Sequence, residues 1–340
     1  MQLKISNDTP TDINLWNKLC EENGNLVQST HFDEVQLFFK QKPIYFEVWS
    51  NNILIAGVKF YFWESSKIGL ITKILSKRLS QHGELLLSHN YLREKAHIIN
   101  LLQKELTSYI KQHKIVTYAC GNLYGNTTLL LKPAGQMPTK ITEFLTAYVD
   151  IDKNEDELLA SFNRNTKRNI KKAIEGNINF ELTSDIERFL QIEQAVYNQQ
   201  PGISPPNFDY IRHIYNNSAN NILIGLSTAG KTDLAGGFFY IFGDSAFSVF
   251  GGAKSNNIGA GHFFYFEMMK YLSKQGIKKF YFGQIAKEID KNNEKFSVGI
   301  TNFKRGFRGE EIESEKLNFV INHKKKKLWK ILLAVNYKIN

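Results

Sequence analysis

Apolar positions along the chain recur at helical spacing, alternate, or run together, and the pattern falls into two similar halves. Asp12 to Glu22 reads as an amphipathic helix: Ile13, Trp16, Leu19 and Cys20 share one face, and Thr11 or Asp12 can cap it. His31 to Phe39 predicts a second, short helix. Strands follow at Ile44 to Trp49 and Ile53 to Trp63, joined by a hairpin turn at Ser50-Asn51-Asn52. Leu70 to Gln81 reads as a basic loop or irregular helix, and Gly83 to Ser88 as a strand. Leu92 to Gln112 predicts a long helix and Ile115 to Cys120 the strand after it. Gly121 to Lys140, rich in Gly, Asn, Thr and Pro, reads as a loop before a strand at Phe144 to Ile151.

The second half repeats this order. Glu155 to Gly176 predicts one helix, Asn177 to Leu182 a strand, and Asp185 to Asn198 and Asn207 to Tyr215 two helices around a rigid loop, Pro201 to Pro206. Strands are expected at Ile222 to Ser227, Leu234 to Gly243 and Ser245 to Lys254. A glycine-rich turn, Asn256 to Gly261, then opens a helix over His262 to Gln275, stopped by Gly276. Lys278 to Gly283 is the next strand, and a polar loop leads to Gly299 to Gly309, where basic residues alternate with aromatics and glycines. A strand over Lys316 to Asn322 and a basic amphipathic tail follow. Ile55-Ala56-Gly57-Val58-Lys59-Phe60-Tyr61-Phe62 parallels Leu234-Ala235-Gly236-Gly237-Phe238-Phe239-Tyr240-Ile241, as an internal duplication would leave it.

Length and composition narrow the class. The 340 residues are enough for two ordinary domains, and the 25 Phe and 15 Tyr suit folded cores rather than disorder. No apolar run approaches the ~20 residues needed to span a bilayer. The first residues, Met1 to Ser6, have no apolar signal core. Cys20 and Cys120 stand far apart, and His82, His89 and His97 are not at metal spacing, so buried free thiols, a reducing cytoplasm and no metal are expected. The net charge of +10 favours phosphate-rich partners: nucleic acid, nucleotide-linked substrates or an anionic membrane surface. Plain solubility charge is the alternative.

Three stretches could carry chemistry. A glycine turn that opens a helix leaves backbone N–H groups pointing one way, and they can hold a phosphate; a tight strand-to-helix connection needs the same small residues. Arg164, Lys167, Arg168, Lys171 and Lys172 recur three or four apart and form one cationic stripe, either a solvated face or a phosphate contact made by a guanidinium fork. Lys324 to Lys327 beside Leu328, Trp329, Ile331, Leu332 and Val335 could lie on an anionic membrane over 324–336, or pack on the protein.

The order of meander, glycine-bearing turn, helix and strand resembles the GNAT acyltransferase core. Asn256-x-x-Gly259-x-Gly261 is similar to its acyl-CoA pyrophosphate motif, with Asn256 where the family has Arg or Gln. The fuller resemblance is to the FemAB-like branch with its BioF2-like acetyltransferase domain. It rests on Asn163-x-x-x-Lys167-Arg168-x-Ile170-Lys171-Lys172-Ala173 and on Phe303-Lys304 before an aromatic-glycine turn.

That resemblance implies an α+β protein of two tandem GNAT-like domains, each a mixed, mostly antiparallel sheet flanked by helices. The domains would span 1–147 and 148–312, with 313–340 a terminal strand and basic helix packing back on the first. It implies transfer of an aminoacyl or acyl group to an amine of a cell-envelope precursor, such as a peptidoglycan precursor, or of a sugar-linked one. The donor would be aminoacyl-tRNA or acyl-CoA, and the acceptor would bear phosphate. Lys304, beside Phe303, would sit at the transfer centre, with Arg164 or Arg168, and Lys167 beside them, near substrate phosphates. Apart from the resemblance, no general base is identifiable by spacing: Tyr240, Gln284 and Glu267 are candidates by placement, with packing, capping or helix surface as the alternative for each, and Gln284 and Tyr240 are also substrate-binding candidates. Gln36 stands where family members carry a phosphate-holding lysine. A CoA-dependent amino-sugar acyltransferase and a non-catalytic RNA- or membrane-binding protein are the competing readings.

Overall fold

The matched segments form the central strands of two meanders, and in each an Ala-Gly pair sits where a helix crosses. A Cβ at Gly57 would lie 2.5 Å from the Trp16 indole, and one at Gly236 would lie 3.0 Å from Ile192. Only a glycine lets each helix come this close. The computed structural model describes residues 1–65, 69–124, 129–199, 204–254, 259–285, 287 and 294–337.

The chain first runs β1 (Gln2–Asn7), α1 (Ile13–Asn23), α2 (Asp33–Leu37), β2 (Lys42–Ser50), β3 (Ile53–Trp63), α3 (Leu70–Ser76), β4 (Arg78–His82), β5 (Leu86–Leu87), α4 (Lys95–Gln112) and β6 (Thr117–Gly121). It continues through β7 (Lys140–Asp150), α5 (Glu155–Ser161), α6 (Arg164–Glu175), β8 (Asn179–Thr183), α7 (Ile186–Asn198), α8 (Phe208–Ser218), β9 (Ile222–Ala229), β10 (Thr232–Phe242), β11 (Ser245–Ala253), α9 (Ala260–Lys274), β12 (Lys279–Ile285) and α10 (Glu294–Arg305). Then come β13 (Glu310–Val320) and α11 (His323–Tyr337). One unit comprises Met1–Glu143 with Glu313–Asn340, and the other Phe144–Ile312.

Within the first unit the strand order is β1-β2-β3-β4-β6-β13, with β5 also on β3; only the β4–β6 pair is parallel. Asn51 and Asn52 both take positive φ at the β2–β3 turn, as a two-residue hairpin with strand-like twist requires. Within the second unit the order is β7-β12-β11-β10-β9-β8, and only β11–β12 is parallel. Each unit is thus a mixed, mostly antiparallel sheet. In each, a long helix, α4 or α9, leads into the strand of the parallel pair.

Four segments differ from the sequence-based reading. Leu70 to Gln81 is the helix α3 followed by the strand β4. The helix expected over Glu155 to Gly176 breaks at Phe162 and Asn163, which take extended ψ values of 159° and 163°. Asn154 caps α5 and Asn163 caps α6, each accepting a backbone N–H three residues on. The polar loop before Gly306 is the helix α10: packing on β12 overrides the poor helix propensity of its Gly299 and β-branched residues. β1 was not anticipated; its short exposed pattern carries little apolar signal.

The first unit also buries a charge cluster. The Lys59 side chain is fully enclosed; its Nζ donates to Asp33 Oδ1 at 2.9 Å and to the Ser29 carbonyl at 2.5 Å. Tyr61 donates to the same carboxylate at 2.7 Å, and Tyr45 donates to its other oxygen. Burial pulls the Lys59 pKa below its usual range, with Asp33 opposing the shift. Removing one partner strands the other charge. Lys59→Ala should therefore cost about 3–5 kcal/mol of stability, read from urea unfolding; a loss no larger than that of a surface lysine variant would show that the pair is dispensable.

Candidate active site

In the second unit the two parallel strands come apart. β11 and β12 pair only at Ser245–Lys279, Ala246–Phe280 and Phe247–Tyr281 among the described residues, although both strands run on. The cause is local. Against β10, Phe239 faces Ser248 and Phe238 faces Phe250, so Val249 is an extra, bulged residue. Against β7, Tyr281 faces Tyr148 and Gly283 faces Ala147, so Phe282 is bulged as well. A bulge bends its strand and increases its twist. Gly283 follows its bulge at φ +76°, a backbone turn that suits glycine. Two bulges just past the last paired residues open a wedge between the strands. The corresponding parallel pair of the first unit, β4–β6, keeps five paired positions without a break.

Aromatic side chains floor the wedge. Tyr265 on α9 packs edge-on to Phe303 at 5.5 Å and lies 5.2 Å from Phe282, and its hydroxyl is 3.2 Å from Ser248 Oγ. Burial, reinforced by the Glu193 carboxylate, pushes that hydroxyl up to about 12. His262, at the start of α9, lies 4.7 Å from the Phe303 ring and stacks on Phe307. Burial holds its pKa down at about 4, so at neutral pH it is an uncharged imidazole.

Lys304 sits at the last turn of α10. Its Nζ donates to the Gln284 carbonyl of β12 at 2.9 Å. With no carboxylate partner among the described residues, the half-buried ammonium is pushed down to about 8 by desolvation. An ammonium has three donors, so two remain for a substrate. Phe303 and Lys304, adjacent in sequence, thus meet different walls of one site, Phe303 the helix α9 and Lys304 the strand β12.

The glycine turn meets this site. Gly259 caps α9 at φ +73°, and a Cβ there would lie 2.0 Å from the Asn169 carbonyl of α6. Its glycine is required by close packing of α6 on α9. A Cβ at Gly261 would lie 3.7 Å from the Phe303 ring. Asn256 and the rest of that turn up to 258 lie outside the described residues, as does the stretch Pro201 to Ile203.

Helix α6 adjoins the turn after Lys304: Asn163 donates its backbone N–H to the Gly306 carbonyl at 3.0 Å. A Cβ at Gly306 would lie 2.4 Å from Thr166 Oγ1. Thr166, Ile170 and Ala173 face inward, while Arg164, Lys167, Arg168, Lys171 and Lys172 are all exposed. Lys167 donates to the Ala160 carbonyl and Arg168 to Asn165 Oδ1, whereas Arg164 has no ion pair among the described residues.

Not every candidate converges. Tyr240 is buried on β10, on the face of Phe238, which packs against Phe189 of α7; Phe239, on the other face, packs against Tyr265. Tyr240 therefore lies across the sheet from Phe303. The Gln284 side chain is exposed, and its backbone carbonyl is the group that meets Lys304. Glu267 is bound into a surface ion pair with Lys270 at 2.8 Å. In the first unit Gln36 is buried on α2. Among the described residues no group of three His, Cys, Asp or Glu side chains could hold a metal, and no helix is long and apolar enough to cross a membrane.

Sequence reading missed Glu193. It lies on α7, is 2 % exposed, and its Oε1 has no hydrogen-bond partner. Burial pushes its pKa up to about 7. The signal was available: Glu193 shares the buried face of α7 with Phe189, Leu190 and Ile192, where an acid is out of place.

Comparison with known proteins agrees with this layout. Residues 160–305 match the family model of the acetyltransferase (GNAT) domain. No curated protein matches the chain. The crystal structure of FemX superposes with a TM-score of 0.75 over 96% of this chain and 99% of that one, at 15% identity. A tandem GNAT protein from the clavulanic acid biosynthesis pathway gives 0.52 over 94% and 98%, at 10% identity. L-PGS from Bacillus licheniformis gives 0.52 over 94% of each chain, at 11% identity.

The buried acid has a measurable signature. Glu193 binds its proton more tightly folded than unfolded. Its destabilising effect is therefore absent below the unfolded carboxylate range, grows as pH rises to about 7, and is constant above. Glu193→Gln should remove that loss, on the order of 3 kcal/mol, from urea unfolding curves taken across the range. Parallel pH profiles for the two proteins would show that Glu193 titrates normally.

Proposed function

We propose that the chain is a FemAB-like acyltransferase of the GNAT superfamily, whose domain model matches residues 160–305 and whose fold is that of FemX, and that it moves an aminoacyl or acyl group onto an amine. The acceptor is a phosphate-bearing cell-envelope or sugar-linked precursor. One observation carries the reading: the Lys304 ammonium is held at the open end of a wedge between two unpaired strand edges. An extended substrate arm can bond to such edges as an added strand would. The acyl carbon then lies near Lys304.

The amine nitrogen attacks the acyl carbon and a C–N bond forms. The ester C–O bond of an aminoacyl-tRNA, or the thioester C–S bond of an acyl-CoA, breaks. The proton lost by the amine ends on the leaving hydroxyl or thiol. Negative charge develops on the carbonyl oxygen in between, and Lys304 stabilises it with a donor it does not spend on Gln284. Aromatic walls at Phe303, Tyr265 and Phe282 limit water there and strengthen that interaction. The exposed Arg164 and Arg168 suit the acceptor's phosphates, since a guanidinium pairs with phosphate in two parallel bonds.

The start of α9 favours a second reading for the donor. Gly259 and Gly261 bring the first turn of that helix beside the wedge, where backbone N–H groups suit the pyrophosphate of CoA. Supplying charged tRNA or acetyl-CoA with amine acceptors, and following product by mass, separates the two donors.

Transfer should fall as pH rises through about 8, as Lys304 loses its proton. Lys304→Met should lower kcat about 100- to 1000-fold with the fold intact. Lys304→Arg should keep part of the activity and lose the alkaline limb. Wild-type turnover in Lys304→Met would remove this residue from the mechanism.

A further inference from the structure

Segments 65–83 and 321–340 together contain ten Lys and Arg and no Asp or Glu, which equals the formal net charge of +10 of the whole chain. The rest of the chain is neutral on balance. Both segments belong to the first unit; α3 lies in one and α11 in the other, and these two helices pack against each other. Six of the ten, Lys73, Lys324, Lys325, Lys326, Lys327 and Lys330, lie on these two helices, so much of the excess positive charge is gathered on one helix pair.

The same helices expose aliphatic side chains. α3 buries Thr72, Leu75 and Ser76, and turns Leu70, Ile71 and Ile74 outward at 72%, 63% and 40% exposure. α11 turns Leu328 and Ile331 outward, at 46% and 50%, among the exposed Lys324, Lys327 and Lys330. Lys326 is near enough to Lys330 and Arg78 to feel both charges, so cations from the two segments crowd together. Exposed Leu and Ile interleaved with lysines are costly in water without a partner that takes both.

We propose that the α3–α11 pair is a docking surface for an anionic lipid bilayer. Leu70, Ile71, Leu328 and Ile331 enter the acyl-chain boundary, while the lysines meet the headgroup phosphates. Lysine stems suit this geometry, because the aliphatic part lies along apolar surface and the ammonium reaches out to the headgroups. An RNA partner fits less well: RNA surfaces draw on Arg forks and aromatic stacking, whereas the exposed apolar groups here are aliphatic. The proposal does not rest on the transferase reading, since none of these residues belongs to that site.

The full chain is tested by co-sedimentation with vesicles of phosphatidylcholine alone, and with vesicles of equal parts phosphatidylcholine and phosphatidylglycerol. Binding is expected only to the anionic vesicles, and should weaken with salt. Lys324→Glu combined with Lys327→Glu and Lys330→Glu should weaken it more than about ten-fold. Leu70→Ser with Ile71→Ser should weaken it at low salt as well, because insertion contributes independently of charge; circular dichroism checks both folds. If the serine variant unfolds, the lysine variant decides. No pelleting with anionic vesicles overturns the proposal, as does full binding by a folded variant. Salt-sensitive binding to uncharged tRNA in place of vesicles would assign the surface to RNA.

Discussion

Two one-residue bulges set the character of the second unit. Val249 sits two residues, and Phe282 one residue, past the point where β11 and β12 last pair. A continuous parallel ladder there would be more stable locally. The bulges give up those hydrogen bonds and leave two strand edges facing a cleft, with α9 and α10 supplying its aromatic floor. Lys304 and Phe303 gain chemical meaning only because this opening exists.

The first unit shows what the plan looks like without the opening. Its meander, long helix and parallel strand repeat the same order, and Gly57 plays the packing part of Gly236. Its parallel pair stays closed. Its most buried lysine, Lys59, meets a carboxylate, two tyrosines and a carbonyl. Among the described residues Lys304 meets only a neutral carbonyl. The same side chain is thus a neutralised structural cation in one unit and a poised ammonium in the other. Uncompensated desolvation depresses a lysine pKa, and an adjacent carboxylate counters it.

Charge is divided in a similar way. The stripe on α6 is a local feature of one amphipathic helix, whose Ile170 and Ala173 share a core with α9. The larger excess belongs to the first unit, most densely on α11. A basic average over the whole sequence would have suggested one diffuse electrostatic surface. The fold concentrates it in separate places with different chemical surroundings.

Much of this was legible before any coordinates. Alternation and helical spacing located most strands and helices, the Ala-Gly repeat exposed the two matched halves, and Phe303-Lys304 drew attention to the proposed transfer centre. These are short-range signals, carried by residues close together in the chain. Short-range reasoning failed where partners are distant. α10 was read as a loop because its helicity depends on β12. The break at Asn163 was missed because a good cap inside a helical pattern looks like one more polar position. Gly259 was read as a phosphate turn, while its immediate constraint is the Asn169 carbonyl, 90 residues earlier in the chain. The glycine turn at Asn256 to Gly261 pointed to a GNAT-like core and marked the start of the helix after it. Tertiary structure alone decided that the strands part, that Lys304 reaches Gln284, and that Glu193 lies in the core, because each depends on which surfaces meet after the chain has folded.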